Sequence, residues 1–118
     1  MPKHSEEFLK LAEDAKRRIK QVSPAEAREM ISSGSLLLDV RDREEFEQGH
    51  IEGAVNISRG TLEMHISDVV PDKQMPIVCH CAGGNRGALA ADTLQRMGYK
   101  VVNLDGGLKA YQEDEDRG

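Results

Sequence analysis

Four short apolar runs, each followed by a helical pattern, constrain this chain more than any other feature. They are Leu36-Leu37-Leu38-Asp39-Val40, Gly53-Ala54-Val55-Asn56-Ile57, Pro76-Ile77-Val78-Cys79-His80 and Val101-Val102-Asn103-Leu104. Runs of four to five residues are too short for helices, and they lack the apolar/polar alternation of a strand with one wet face. They read as strands buried on both faces, which is the signature of a parallel sheet. Parallel neighbours need crossover connections, and helical patterns stand where these are required, over residues 42–48, 61–70, 88–97 and 108–112. Ahead of the first strand, Ser23-Pro24-Ala25-Glu26 is a capping box that opens a helix running to Ser33, with Gly34 to end it. Phe8, Leu9, Ala12, Ala15 and Ile19 recur at helical spacing over residues 5–20. The expectation is an α/β fold of three layers, a small and mainly parallel sheet between helices, with an extra N-terminal helix. Residues 1–21 form that extension, 22–112 the domain, and 113–118 a frayed, solvated acidic tail.

Composition narrows the function. The chain has 118 residues, enough for one core, and carries a net charge of -5. That charge disfavours nucleic acid and anionic membranes as partners. Four aromatics, Phe8, Phe46, Tyr99 and Tyr111, do not build a stacking platform for single strands. No apolar run reaches the ~18 residues of a membrane span. Met1 to Lys20 is charged throughout and reads as neither a signal nor a transit peptide, so a cytoplasmic location is expected. Two cysteines, Cys79 and Cys81, are separated by one residue, which suits no disulfide framework and fits a reducing compartment.

Open parallel sheets bind ligands beyond the carboxyl ends of their strands. Cys81 falls there, just past the run 76–80, and opens the segment Cys81-Ala82-Gly83-Gly84-Asn85-Arg86-Gly87 before a helix. The N–H groups of a tight Gly-rich loop can converge on negative charge, and the helix N-terminus adds about half a positive charge. Both favour a thiolate at Cys81, and Arg86 can hold an oxyanion through two N–H bonds. Cys79, inside an apolar strand, reads as a small hydrophobe. Cys79-His80-Cys81 lacks the second Cys/His pair that zinc would need, so no metal is expected. Asp39 and Arg41 read as a structural ion pair, His50 as a turn hydrogen-bonder, and His4 and His65 as exposed. Glu44 and Glu45 read as a solvated helix face. Arg59, in the loop after the second strand, is a candidate second anion-binding cation.

Three stretches together resemble single-domain rhodaneses, over roughly residues 22–112. The first is Leu38-Asp39-Val40-Arg41, then Glu44-Glu45-Phe46, then Gly49-His50-Ile51-Glu52-Gly53-Ala54-Val55-Asn56-Ile57. The second is Cys81-x-x-Gly84-x-Arg86. The third is Leu104-x-Gly106-Gly107-Leu108-x-x-Tyr111. The resemblance implies a rhodanese-like fold and a sulfurtransferase that carries sulfane sulfur as a Cys81 persulfide, without cofactor. The donor would be a small anion, thiosulfate or polysulfide, held by residues 82–87 (Ala82, Gly83, Gly84, Asn85, Arg86 and Gly87) and by Arg59. The acceptor would be a thiol, a dithiol or cyanide. Four residues separate Cys81 from Arg86 as in sulfurtransferases, one fewer than in related dual-specificity phosphatases. A phosphatase or arsenate reductase is therefore a weaker alternative, beside a non-catalytic binding module. Gly87 stands where many relatives carry Ser or Thr, which removes one hydroxyl from the neighbourhood of the sulfur. The helix at 5–20 lies outside the resemblance and is a candidate dimerisation element.

Overall fold

The computed structural model describes residues 5–117; the expected exposure of His4 lies outside them. Five strands form one fully parallel sheet in the order β1-β5-β4-β2-β3. They are β1 Gln21–Val22, β2 Leu36–Asp39, β3 Val55–Asn56, β4 Ile77–His80 and β5 Val101–Leu104. Side chains alternate between two cores. Leu38, Ile77, Cys79 and Val101 face the layer containing α4 (Leu62–Val69) and α5 (Asn85–Arg96). Leu37, Val78 and Leu104 face the layer of α2 (Pro24–Ser32) and α6 (Gly107–Arg117). This is the three-layer arrangement expected. The short α3 (Arg43–Gln48) joins β2 to β3.

Several boundaries differ from expectation for identifiable reasons. A fifth strand, β1, was not anticipated, because two residues with one buried apolar side chain carry no periodicity. The strand at 53–57 shrinks to Val55–Asn56 at the sheet edge, and the helix at 61–70 is a 3-10 turn, Arg59–Thr61, followed by α4. The helix expected from residue 88 already begins at Asn85, so Asn85, Arg86 and Gly87 form its first turn rather than loop. Over residues 113–117 the tail is solvated as expected but helical rather than frayed, since α6 continues to Arg117; residue 118 lies outside the described residues. Arg28 of α2 pairs with Asp114 and lies over the Tyr111 ring at 4.3 Å. Those partners, more than eighty positions apart, fix residues whose local composition reads as solvated.

The N-terminal α1 (Glu6–Arg18) is capped by Ser5, which accepts from Phe8 N–H at 3.0 Å. It packs along α5 rather than standing free. Ala12 and Ala15 are fully buried between the two helices, while Leu9 and Leu11 face solvent. At the far end Arg18 forks onto Asp92 at 3.1 and 2.8 Å, and Gln95 Nε2 donates to the Arg18 carbonyl at 2.8 Å. Small side chains let the helices approach closely, so added volume at that seam forces them apart. Ala15→Leu is therefore expected to lower stability by about 1–3 kcal/mol. Leu11→Ala, at an exposed position, should change it by less than about 0.5 kcal/mol. The urea midpoint of each variant checks this contrast.

Candidate active site

The strand order reverses its direction of travel between β2 and β4: from β2 the chain steps outward to β3, and from β4 to β5 on the other side. The crevice beyond these two carboxyl ends is where an open parallel sheet accepts ligands. Cys81 follows β4 directly into it. Its residue is 1% exposed, and both cysteines are free thiols.

The loop is shaped by the start of α6. Leu108 N–H donates to the Cys81 carbonyl at 2.8 Å and Lys109 N–H to the Ala82 carbonyl at 3.3 Å. With those carbonyls turned toward α6, the loop can turn amide hydrogens inward, and Gly84 N–H donates to Cys81 Sγ at 3.0 Å. Two glycines make this possible. Gly84 has φ +111 and serves as the N-cap of α5. Gly107 has φ +62, and a Cβ there would lie 2.6 Å from the carbonyl oxygens of both Cys81 and Ala82. The N-cap of the twelve-residue α5 thus lies three residues from Cys81. Ala82 and Asn85 complete the loop and the first helical turn, and the Gly83 side faces open space.

Arg86 does not point freely into the crevice. Its Nη1 and Nη2 lie 2.6 and 3.0 Å from the two carboxylate oxygens of Glu45, a bidentate fork across the switch point. This corrects the reading of Glu45 as part of a solvated face; its carboxylate also accepts from Asp42 N–H at 3.1 Å. The hydrogen bond from Arg86 is the main reason its carboxyl is lowered from the ordinary 4.5 to about 2, against the opposing effect of partial burial. The sequence held one sign of it: Asp42-x-x-Glu45 is a capping-box spacing, but the partner lies 41 positions away.

A second, deeper ion pair sets where α3 begins. Asp39, fully buried, receives Arg41 Nε at 3.0 Å and Nη2 at 2.8 Å, as expected of a structural pair. Arg41 Nη2 also donates to the Gly49 carbonyl at 2.7 Å, and Asn56 Nδ2 donates to the carbonyls of Asp39 and Arg41, both at 2.9 Å. His50 Nδ1 meets the Phe46 carbonyl at 2.8 Å and its ring stacks on Phe46, while His65 is exposed. His80 is buried beside Asp39 with Nδ1 3.3 Å from the Cys81 carbonyl; burial lowers its pKa. Cys79 is held as the thiol by burial, and its Sγ donates to the Gly87 carbonyl at 3.6 Å.

Arg59 and Gly87 have neighbours that the sequence alone did not supply. Arg59 turns toward α4 and α5, with Nη1 3.5 Å from Glu63 and Nη2 3.4 Å from Thr93. Thr93 is seven residues along α5 from Arg86, about 10 Å down the helix. Gly87 is not merely a missing hydroxyl. A Cβ there would sit 2.4 Å from Asn103 Oδ1, so the space is taken by the amide of Asn103.

The chain matches the Rhodanese-like domain family over residues 23–114. It belongs to that family of sulfurtransferases. A thiosulfate sulfurtransferase, GlpE, of Ectopseudomonas mendocina is 33% identical over 94 residues, which cover 79% of this chain and 84% of that one. Among solved structures, the human single-domain sulfurtransferase TSTD1 superposes with TM-score 0.71 at 31% identity, covering 79% of this chain and 95% of that one. A protein of unknown function from Rhodopseudomonas palustris, described as a possible tyrosine phosphatase, gives TM-score 0.83 at 31% identity and covers 98% of this chain and 96% of its own.

Two outcomes follow from this rhodanese-like site. Gly107→Ala adds both a strained φ and a collision with two loop carbonyls, so it should destabilise the fold by at least about 2 kcal/mol and slow alkylation of Cys81. Denaturant unfolding and iodoacetamide labelling measure the two effects. Glu45 has a lowered pKa in the folded state, so its stabilising contribution is present above the ordinary 4.5 and is lost as pH falls toward about 2. Glu45→Gln lacks that contribution. The melting temperature of the native protein should exceed that of the variant at neutral pH, and the gap should close on acidification toward pH 2.

Proposed function

We propose that this chain moves sulfane sulfur from a small anionic donor, thiosulfate or polysulfide, to a thiol acceptor through a persulfide on Cys81. One observation carries the reading: Gly84 N–H lies 3.0 Å from Cys81 Sγ in a loop whose first two carbonyls are bonded to α6. A donor aimed at the sulfur can stabilise the negative charge carried by a persulfide there. In the first step the thiolate attacks the outer sulfur of thiosulfate. A new S–S bond forms, the old one breaks, and sulfite leaves with the bonding pair. In the second, a thiolate or cyanide attacks the terminal sulfur and Cys81 leaves as thiolate. Splitting the transfer in two predicts ping-pong kinetics. Arg86 is the cation nearest the loop in sequence, and a donor anion would share it with Glu45. A reducing compartment such as the cytosol suits two free thiols.

The likeness to a protein described as a possible tyrosine phosphatase keeps phosphoryl chemistry as the second reading. Only four residues lie between Cys81 and Arg86, which favours the smaller sulfur centre over a phosphate. Intact-protein mass after incubation with thiosulfate tests the proposal. A gain of one sulfur atom is expected in the native chain and in Cys79→Ser, reversed by cyanide and lost in Cys81→Ser. No gain with either thiosulfate or polysulfide would overturn it, and Cys81-dependent hydrolysis of an aryl phosphate would replace it with the second reading.

A further inference from the structure

The N-terminal segment outside the family match is linked to the Cys81 loop through one residue, Asn103. β1 enters the sheet with Gln21 in register with Asn103 of β5, and Asn103 N–H donates to the Lys20 carbonyl at 2.9 Å. The two side chains meet as well. Asn103 is fully buried, and its Nδ2 has two hydrogens to give. One goes to Gln21 Oε1 at 3.1 Å and the other to the Gly84 carbonyl at 3.3 Å. A backbone carbonyl only accepts, so it is the amide nitrogen that must face Gly84. Gly84 is the residue whose own N–H reaches Cys81 Sγ.

The other end of the amide makes the placement more telling. Asn103 Oδ1 is buried without a hydrogen-bond partner. It occupies the space that a side chain at position 87 would fill, 2.4 Å from where a Cβ on Gly87 would stand. A buried acceptor left unpaired is costly, and native structures tolerate few. Here the unpaired oxygen accompanies an amide whose nitrogen is fully used, and Gly87 is the residue that leaves it room. Gly84 sits at φ +111 as the N-cap of α5, and its carbonyl also accepts from Ala88 N–H at 2.9 Å. Two donors on that oxygen pin the peptide that leaves Gly84, and the N–H that meets the sulfur stands across the φ and ψ of that one residue.

We infer that Asn103 and Gln21 are positioning residues for the reacting sulfur: Gln21 orients the Asn103 amide, and Asn103 holds Gly84 so that its N–H stays on Cys81 Sγ. The N-terminal segment thereby acts on the site through one side chain. The inference rests on Cys81 being the reacting group, as in the proposed function, but it needs no particular sulfur donor.

The test uses the full chain with Gln21→Leu, which removes the acceptor, and Gln21→Glu, which keeps one. The reading is the rate at which iodoacetamide labels Cys81, located by peptide mass, at neutral pH and well below each protein's melting temperature. Labelling requires no sulfur transfer, so its answer stands whether or not thiosulfate proves to be a substrate. Gln21→Leu should be labelled roughly threefold more slowly, a share of what one hydrogen bond contributes. Gln21→Glu should keep the native rate. Where thiosulfate is turned over, kcat should fall in Gln21→Leu with KM unchanged. Equal labelling rates in all three proteins would overturn the inference. Equal slowing in both variants would overturn it too, since the acceptor would then be irrelevant.

Discussion

The two hydrogen bonds from the first turn of α6 to the carbonyls of Cys81 and Ala82 are the constraint on which the site depends. A peptide unit is planar, so fixing a carbonyl on one side fixes the following N–H on the other. A loop that must gather N–H groups around a sulfur therefore needs donors outside it for its carbonyls. The four orphan N–H groups at the start of a helix are such donors. They reach the loop because β5 lies next to β4 in parallel, so both strands deliver their next residues to the same end of the sheet. Gly107 removes the one Cβ that would keep α6 from closing to hydrogen-bonding distance. Sheet order, helix start and glycine together produce one short loop.

The charge around that loop is arranged in the same layered way. Asp39 and Arg41 fix the turn after β2, Arg41 ties Gly49, and α3 between them presents Glu45 to Arg86. The donor within hydrogen-bonding reach of Cys81 Sγ is a backbone group, the Gly84 N–H, at the N-cap of α5. A fork locks the arginine in one rotamer. An incoming anion finds a donor whose position is already set, and it must compete with a carboxylate for it.

The fold was legible where burial acts locally. Strands of four apolar residues announce a parallel sheet because no other element buries so short a run on both sides, and Ser23-Pro24-Ala25-Glu26 announces α2 because a cap is a local device. The reading failed where a distant partner decides. β1 exists because β5 offers an edge, and α6 continues through an acidic stretch because Arg28 meets Asp114. Cys81, Gly84 and Arg86 could be singled out from spacing, since loop and helix start are contiguous. Glu45 and Asn103 could not. A carboxylate at the third position of a helix looks like a cap, and an Asn in an apolar strand looks like a lapse in the pattern. What brings either one to the candidate site is a residue on another element.

The N-terminal helix is best understood through α5. That helix is buried on more than its sheet face: Ala90, Ala91 and Leu94 join the core beneath it, while Asp92 is covered by Arg18 from above. A helix enclosed from two sides carries small residues on both and depends on its outer cover for burial. The matched family region begins at residue 23, yet the Rhodopseudomonas palustris structure superposes on 98% of the chain, so the α1 layer recurs outside this protein. The cover also bears on chemistry. α5 begins beside the sulfur, and its axis fixes where its positive end points. A helix that packs along α5, and continues into the strand that carries Gln21, braces both α5 and Asn103, the two neighbours of the Cys81 loop.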